Sequence, residues 1–229
     1  MPKCLVILSG GQDSTTCLAI ASQQFDEVHA VTFEYGQRHA IELESADAVA
    51  RTLSVTSHEV IKLGAILKGT SPLVSKYPVS TYTTPDEVPD GVAATFVPSR
   101  NALFLTIASN RAIALECSTI FTGVSQTDYS GYPDCRRDFI DSLEETLSLA
   151  NWGTIGHLKI ETPLMYLSKA ESVLLAKAVL GDRFEEVMEL THTCYQGVKG
   201  GCGKCAACLL RDQGFKEANV VDPIWKFRG

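Results

Sequence analysis

The feature that most constrains this chain is an alternation of two kinds of segment. Residues 3–8 (KCLVIL) form a short β-rich apolar run, and residues 13–24 (DSTTCLAIASQQ) follow with helical spacing. The alternation continues with a strand over 27–33 and a helix over 40–53, whose apolar residues recur at three- and four-residue intervals. A third strand spans 58–63 (HEVIKL). It is followed by helix 100–116, strand 118–123, helix 138–150 and strand 157–164, the last stopped by Pro163. Helix 168–181 opens on Ser168 and Glu171 at capping-box spacing and ends at Gly181. Strands that recur every ~30 residues with helices between them imply an α/β fold, a doubly wound, Rossmann-like parallel sheet. Ligands bind such sheets beyond the carboxyl ends of the strands, which points here to residues 9–14, 33–39, 96–101 and 125–137.

Two regions break the alternation. Residues 64–98 contain Pro72, Pro78, Pro85, Pro89 and Pro98 among many Ser and Thr, as expected of a functional lid or mobile loop. From Leu190 onward the chain is rich in Cys and Gly. We therefore expect an α/β domain over 1–189 and a small C-terminal metal-binding lobe over 190–229, packed on it. A net charge of -7 argues against bulk nucleic-acid binding. No apolar stretch has transmembrane length, and the run from Cys4 is too short for a signal-peptide core. The expectation is a cytoplasmic protein with neither a nucleic acid nor a membrane as partner.

The segment LSGGQDSTT, Leu8 to Thr16, joins the first strand to the first helix. Free N–H groups and the dipole at a helix N-terminus attract anions, and Gly10 and Gly11 let the backbone come close. Ser9, Ser14 and Thr15 add hydroxyls. The loop lacks the lysine of the Walker pattern and does not read G-x-G-x-x-G. A bare SGG would fit a Gly-Gly turn before a capped helix, but the full S-G-G-x-D-S at a strand-to-helix junction favours phosphate binding. It resembles the pyrophosphate loop of the N-type ATP pyrophosphatases. That resemblance implies an ATP-binding set of Leu8, Ser9, Gly10, Gly11, Gln12, Asp13, Ser14, Thr15 and Thr16, with Asp13 binding the magnesium that accompanies ATP.

Cys194, Cys202, Cys205 and Cys208 read C-x7-C-x2-C-x2-C, with glycines at 197, 200, 201 and 203 around the second thiol. Clustered thiols in a cytosolic enzyme favour metal or catalysis over disulfides. Four thiolates suit one tetrahedral zinc, with Zn–S near about 2.3 Å, and they also suit a [4Fe–4S] cluster. One structural zinc is the favoured expectation.

Three polar loops complete the expected site. Residues 32–39 carry Tyr35, Gln37 and Arg38, residues 95–101 carry Arg100 and Asn101, and residues 127–136 carry Asp128, Tyr132, Asp134 and Arg136. Aromatic rings stack on planar heterocycles, Asp and Gln pair with ring N–H and amino groups, and Arg offsets a carboxylate or a departing phosphate. Tyr35, Gln37, Arg38, Arg100, Asn101, Asp128, Tyr132 and Asp134 are the expected substrate contacts. Asp13, Arg100 and Arg136 are the expected catalytic groups.

Across nearly its whole length the chain resembles the 7-cyano-7-deazaguanine synthase family of queuosine biosynthesis, the QueC family. The strings that carry the likeness are SGGQDSTTCL, VTFEYGQRH, TFVPSRNALFLTIA, TDYSGYPDCR, ETPLMYLSKAE and TCYQGVKGGCGKCAACLLR. The resemblance implies an adenine nucleotide alpha-hydrolase-like fold and a ligase acting on 7-carboxy-7-deazaguanine, ammonia and ATP, with one zinc. It also allows a homodimer. The family often has glycine where this chain has Ser99, and often one residue more between its first two zinc cysteines. Two rival readings share the ATP-binding fold: a tRNA-modifying sulfurtransferase and a non-catalytic nucleotide-binding protein.

Overall fold

The computed structural model describes residues 2–37, 41–69, 71–89, 95–127, 131–151 and 158–228. Five strands form one sheet: β1 (Lys3–Ile7), β2 (Glu27–Glu34), β3 (Ser57–Lys62), β4 (Thr119–Phe121) and β5 (Lys159–Glu161). Their order is β3-β2-β1-β4-β5, and every neighbouring pair is parallel. Strand β1 is central, which is why KCLVI alternates little and is buried through its middle. The chain runs outward from β1 to β3, then crosses back to β4. This makes the β1–β4 crevice the switch point of a doubly wound sheet.

Helices α1 (Gln12–Gln24), α2 (Ile41–Thr52), α3 (Arg100–Ala114), α4 (Arg137–Ala150) and α5 (Lys169–Leu180) connect or follow the strands. Two cores lie on opposite faces of the sheet. One packs Leu5, Val31 and Ile120 against Leu105 and Ile140 of α3 and α4. The other packs Cys4, Val6 and Ala30 against Leu18 of α1 and Val49 of α2. Ser168 caps α5 in a reciprocal capping box with Glu171, as its spacing predicts. Ser99, before α3, has a φ of 61°, a left-handed conformation that glycine adopts without strain.

Two helices were not expected from the sequence: α6 (Phe184–Met188) and α7 (Ala206–Glu217). The Cys- and Gly-rich C-terminal segment thus contains α7, which packs along α5. Here Gly214 allows close approach, since a Cβ at that position would overlap Cγ of Lys169. The strand expected over 157–164 is reduced to β5, and its first residue lies outside the described residues. The proline-rich segment makes definite contacts. Val79 packs on the cysteine cluster, the Tyr82 N–H donates to the Lys204 carbonyl at 2.8 Å, and Ser71 Oγ donates to the Thr95 carbonyl at 3.0 Å. No helix among the described residues is long and apolar enough to cross a membrane.

Candidate active site and metal centre

The loop between β1 and α1 is shaped by its own hydroxyls and by Gly10. Ser9 Oγ lies 3.0 Å from Ser14 Oγ, Ser14 Oγ donates to the Gly11 carbonyl at 3.1 Å, and the Gly11 N–H reaches Ser9 Oγ at 3.4 Å. Gly10 has a φ of 82°, and a Cβ there would stand 2.5 Å from the Glu42 carbonyl oxygen. Only glycine lets the loop lie this close to α2. The first intrahelical bond of α1 runs from the Thr15 N–H to the Gly11 carbonyl. The N–H groups of residues 12–14 therefore have no acceptor within the helix, the usual condition for anion binding. Thr15 Oγ1 and Gln12 Oε1 are buried without a hydrogen-bond partner.

The loop itself contains no lysine or arginine, but the fold brings a cation to it. Lys169 Nζ lies 2.9 Å from Asp13 Oδ2, with both side chains largely buried. Lys169 is the first residue of α5, 156 positions from Asp13. In the sequence only its place beside the capping Ser168 is legible. Helices α1 and α5 both begin at the carboxyl edge of a parallel sheet and pack on one another, so their first turns converge.

Two cavities of about 180 and 190 Å³ flank the loop. Their nearly equal size does not distinguish them, but their linings do. The first lies at the ends of β1 and β2, walled by Ile7, Leu8, Phe33 and Phe104 with Thr32, Glu42 and Arg100 as polar groups. The second lies in the β1–β4 crevice and is lined by Gln12, Asp13, Gly123, Ser125, Tyr132 and Lys169. Arg100 Nη1 approaches the Tyr35 hydroxyl at 3.4 Å, and its charge also acts on Tyr132 and Tyr195. Burial pushes the Glu42 carboxyl up to about 7, and nearby Arg100 partly opposes that rise.

The expected substrate contacts are divided. Tyr35, Gln37 and Arg100 line the first cavity and Tyr132 the second. Gln37 uses its amide locally, accepting from the Tyr35 N–H at 2.8 Å and donating to the Phe33 carbonyl at 3.1 Å. Asn101 and Asp134 hold each other: the Asn101 N–H donates to Asp134 Oδ2 and its Nδ2 to the Asp134 carbonyl, both at 3.2 Å. Burial raises the Asp134 carboxyl, and the bonds from Asn101 pull it back. Arg136 is exposed before α4 and lines neither cavity. Arg38 and Asp128 lie outside the described residues.

The four cysteines converge, with all their sulfurs within 4.8 Å of one another. Cys202 Sγ and Cys208 Sγ are 4.0 Å apart, close to the ~3.8 Å edge of a tetrahedron with metal–sulfur bonds of about 2.3 Å. Cys202 Sγ accepts from the N–H groups of Lys204 and Cys205 at 3.4 and 3.3 Å, bonds that steady a thiolate. Gly197, Gly200, Gly201 and Gly203 all have positive φ, so the knuckle uses the freedom its sequence offers. The donor set, its spacing and its N–H support fit a tetrahedral metal ion.

Bonds from the lobe reach the loop and lock α7. The His192 N–H donates to the Gly10 carbonyl at 2.8 Å. Arg211 of α7, 1% exposed, forms a two-pronged pair with Asp222 at 2.7 and 2.9 Å, the latter side chain 0% exposed. The same guanidinium donates to Thr191 and Thr193 just before Cys194.

The chain is similar to proteins of a known family. The family model described as "Queuosine biosynthesis protein QueC" matches residues 3–219. A protein of Gloeobacter violaceus named 7-cyano-7-deazaguanine synthase is 59% identical over 228 residues, covering 100% of this chain and 97% of its own. Among solved structures, a predicted tRNA methyltransferase subunit from Methanocaldococcus jannaschii is 21% identical with a TM-score of 0.45, covering 73% of this chain and 70% of that one. An NH3-dependent NAD synthetase from Campylobacter jejuni is 17% identical with a TM-score of 0.43, covering 80% and 65%. The family match spans nearly all of the sequence and the relative all of it: this chain belongs to the QueC family of queuosine biosynthesis proteins.

Proposed function

We propose that the chain is an ATP-dependent ligase that converts 7-carboxy-7-deazaguanine and ammonia into 7-cyano-7-deazaguanine, a precursor of queuosine. The observation that carries this reading is the 59% identity, end to end, with a protein named for that activity. The loop and its two cavities supply the physical means.

In this reading the phosphates of ATP lie over the first turn of α1. The N–H groups of residues 12–14 and the Ser9 and Ser14 hydroxyls meet their charge there. Lys169 turns from Asp13 to a phosphate oxygen, and Asp13 is left to hold the magnesium that arrives with ATP. The adenosine occupies the β1–β2 cavity against Leu8 and Phe33, so Tyr35 and Gln37 shape a nucleoside pocket rather than face the deazaguanine. The deazaguanine occupies the β1–β4 crevice beside Tyr132, which Thr95 Oγ1 holds at 2.6 Å. Asn101 and Asp134 brace that wall from behind.

The acceptor carboxylate attacks the α-phosphate and pyrophosphate leaves. Ammonia attacks the resulting acyl adenylate to give the amide and AMP. A second ATP then adenylates the amide oxygen and releases pyrophosphate; the nitrogen gives up its two protons and the oxygen leaves as part of AMP, so that the nitrile remains. Arg100 stays a guanidinium throughout and, from the adenosine side, lends positive charge to the wall formed by Tyr132 and Tyr195. The protein's contribution is positioning and charge stabilisation. One zinc is held by Cys194, Cys202, Cys205 and Cys208; when bound it supplies folding energy to the lobe.

A sulfurtransferase needs a reactive thiol in the site. Cys135 lines the β1–β4 crevice, but its Sγ accepts from Asn101 Nδ2 at 3.3 Å, and Cys17 is fully buried in α1, where burial pushes its thiol up. Mass spectrometry of metal-loaded protein incubated with magnesium, ATP, ammonia and 7-carboxy-7-deazaguanine tests the reading. The amide and then the nitrile are expected, with pyrophosphate; formation of neither refutes it.

A further inference from the structure

Of the described residues that line the two cavities, Tyr195 alone is common to both. In the first it stands with Arg100 and Phe104, and in the second with Tyr132, Thr193 and Lys169. It is partly buried, and its ring packs beside the cysteine cluster. Its phenol interacts electrostatically with that of Tyr132 and with the Arg100 guanidinium.

The backbone around Tyr195 is pinned on both sides. Upstream, the His192 N–H is bonded to the loop at Gly10 and Thr193 Oγ1 is bonded to Arg211. The preceding residue, Cys194, has its sulfur in the cluster, and its carbonyl accepts from the Gly197 N–H at 3.0 Å. The ring is therefore set by the metal lobe and the loop together. A rigid aromatic side chain held this way presents a surface to each cavity at little entropic cost.

We propose that Tyr195 is a positioning residue for ligation: a shared wall that separates the adenosine from the deazaguanine and holds the acceptor carboxylate against the α-phosphate. This rests on the two-cavity reading above. Effective attack needs reacting atoms held about 3–3.5 Å apart, and a common wall constrains both ligands at once. Removing the ring joins the two cavities and admits water to the acyl adenylate. Water then replaces ammonia at the acyl carbon and gives back the free acid and AMP. ATP is consumed and pyrophosphate released with no carbon–nitrogen bond made.

The test compares wild type, Tyr195→Phe and Tyr195→Ala in three measurements. These are pyrophosphate released per amide and nitrile formed, calorimetric binding of 7-carboxy-7-deazaguanine without ATP, and bound metal. Tyr195→Ala is expected to keep its metal, to bind the acceptor about tenfold more weakly and to release several-fold more pyrophosphate per bond formed. Tyr195→Phe, which keeps the ring, is expected to restore coupling close to wild type. An alanine variant with unchanged coupling and affinity overturns the proposal. So does one that loses its metal, because Tyr195 would then be serving the lobe's fold. Wild type that neither binds nor turns over the deazaguanine acid refutes the ligase reading itself, and the proposal with it.

Discussion

Replacing Glu42 by glutamine tests whether the first cavity is as dry and as charge-sensitive as its walls imply. Glu42 sits in the first turn of α2 and lines that cavity with Arg100. Burial raises its carboxyl from 4.5 to about 7, the pull of Arg100 notwithstanding. The folded value thus lies above the unfolded one. Stability from the neutral acid is present in full below 4.5 and is lost as pH rises through about 7. Glutamine keeps the neutral shape and cannot ionise, so its advantage over wild type grows with pH. Linkage between those two values gives a cost of ionisation near 1.4 kcal/mol at about pH 5.5 and about 3.4 kcal/mol at about pH 8.5. The difference between the two proteins should therefore widen by about 2 kcal/mol over that range. Urea unfolding of both proteins at both pH values measures it, and the double difference cancels every other titrating group they share. Stability curves that run parallel with pH would refute the reasoning and mean that Glu42 is solvated or fully paired.

Four further outcomes follow from single contacts. Asp13→Ala should lower turnover by about a hundredfold or more with fold and metal intact; near-normal turnover would remove its magnesium role. Cys205→Ser should lose the metal and lower the unfolding midpoint, since structural zinc contributes folding energy; unchanged metal stoichiometry would strike it from the ligand set. Asp222→Ala leaves the Arg211 guanidinium buried and unpaired, and urea titration should show a loss of about 3–5 kcal/mol; a loss under about 1 kcal/mol would mean that water reaches the pair. Gly214→Ala places a methyl against Cγ of Lys169 and should cost about 1–3 kcal/mol while weakening ATP use; unchanged kinetics would separate the packing of α7 from the site.

The parts of the fold legible in the sequence were those with periodicity. The five apolar runs became the five strands, and the helices between them formed where their spacing placed them. Helix α7 was missed because AACLLRDQGFKE has Gly at its ninth position and a cysteine ligand at its third, so it reads as a continuation of the Cys- and Gly-rich stretch. Contacts with α5 hold it together, and those are invisible in one dimension. The loop motif and the C-x7-C-x2-C-x2-C pattern are local and survive in sequence. Arg136 and Arg137 are adjacent, and nothing in the string tells which turns inward. In the structure it is Arg137, which bonds Thr162 at 2.9 Å and Asp141 at 2.6 Å. Asn101 and Asp134 have the chemistry of substrate contacts, yet they use it on each other.

The position of Lys169 changes what the missing Walker lysine means. A lysine within the loop would be fixed by the loop alone. This one enters on α5, and α5 is packed against α7 at Gly214, so the cation's place depends on the helix that carries Cys208. The lobe touches the site twice more, through the bond from His192 to the Gly10 carbonyl and through Tyr195 between the cavities. Cation, loop and dividing wall are thus each braced by the segment that the four thiols close. A metal there need not meet any reacting atom to matter for catalysis, because an acyl transfer that relies on positioning is sensitive to displacements of about 1 Å. Knotting the last sixth or so of the chain around a metal is one way for a protein of this size to hold three such elements in register.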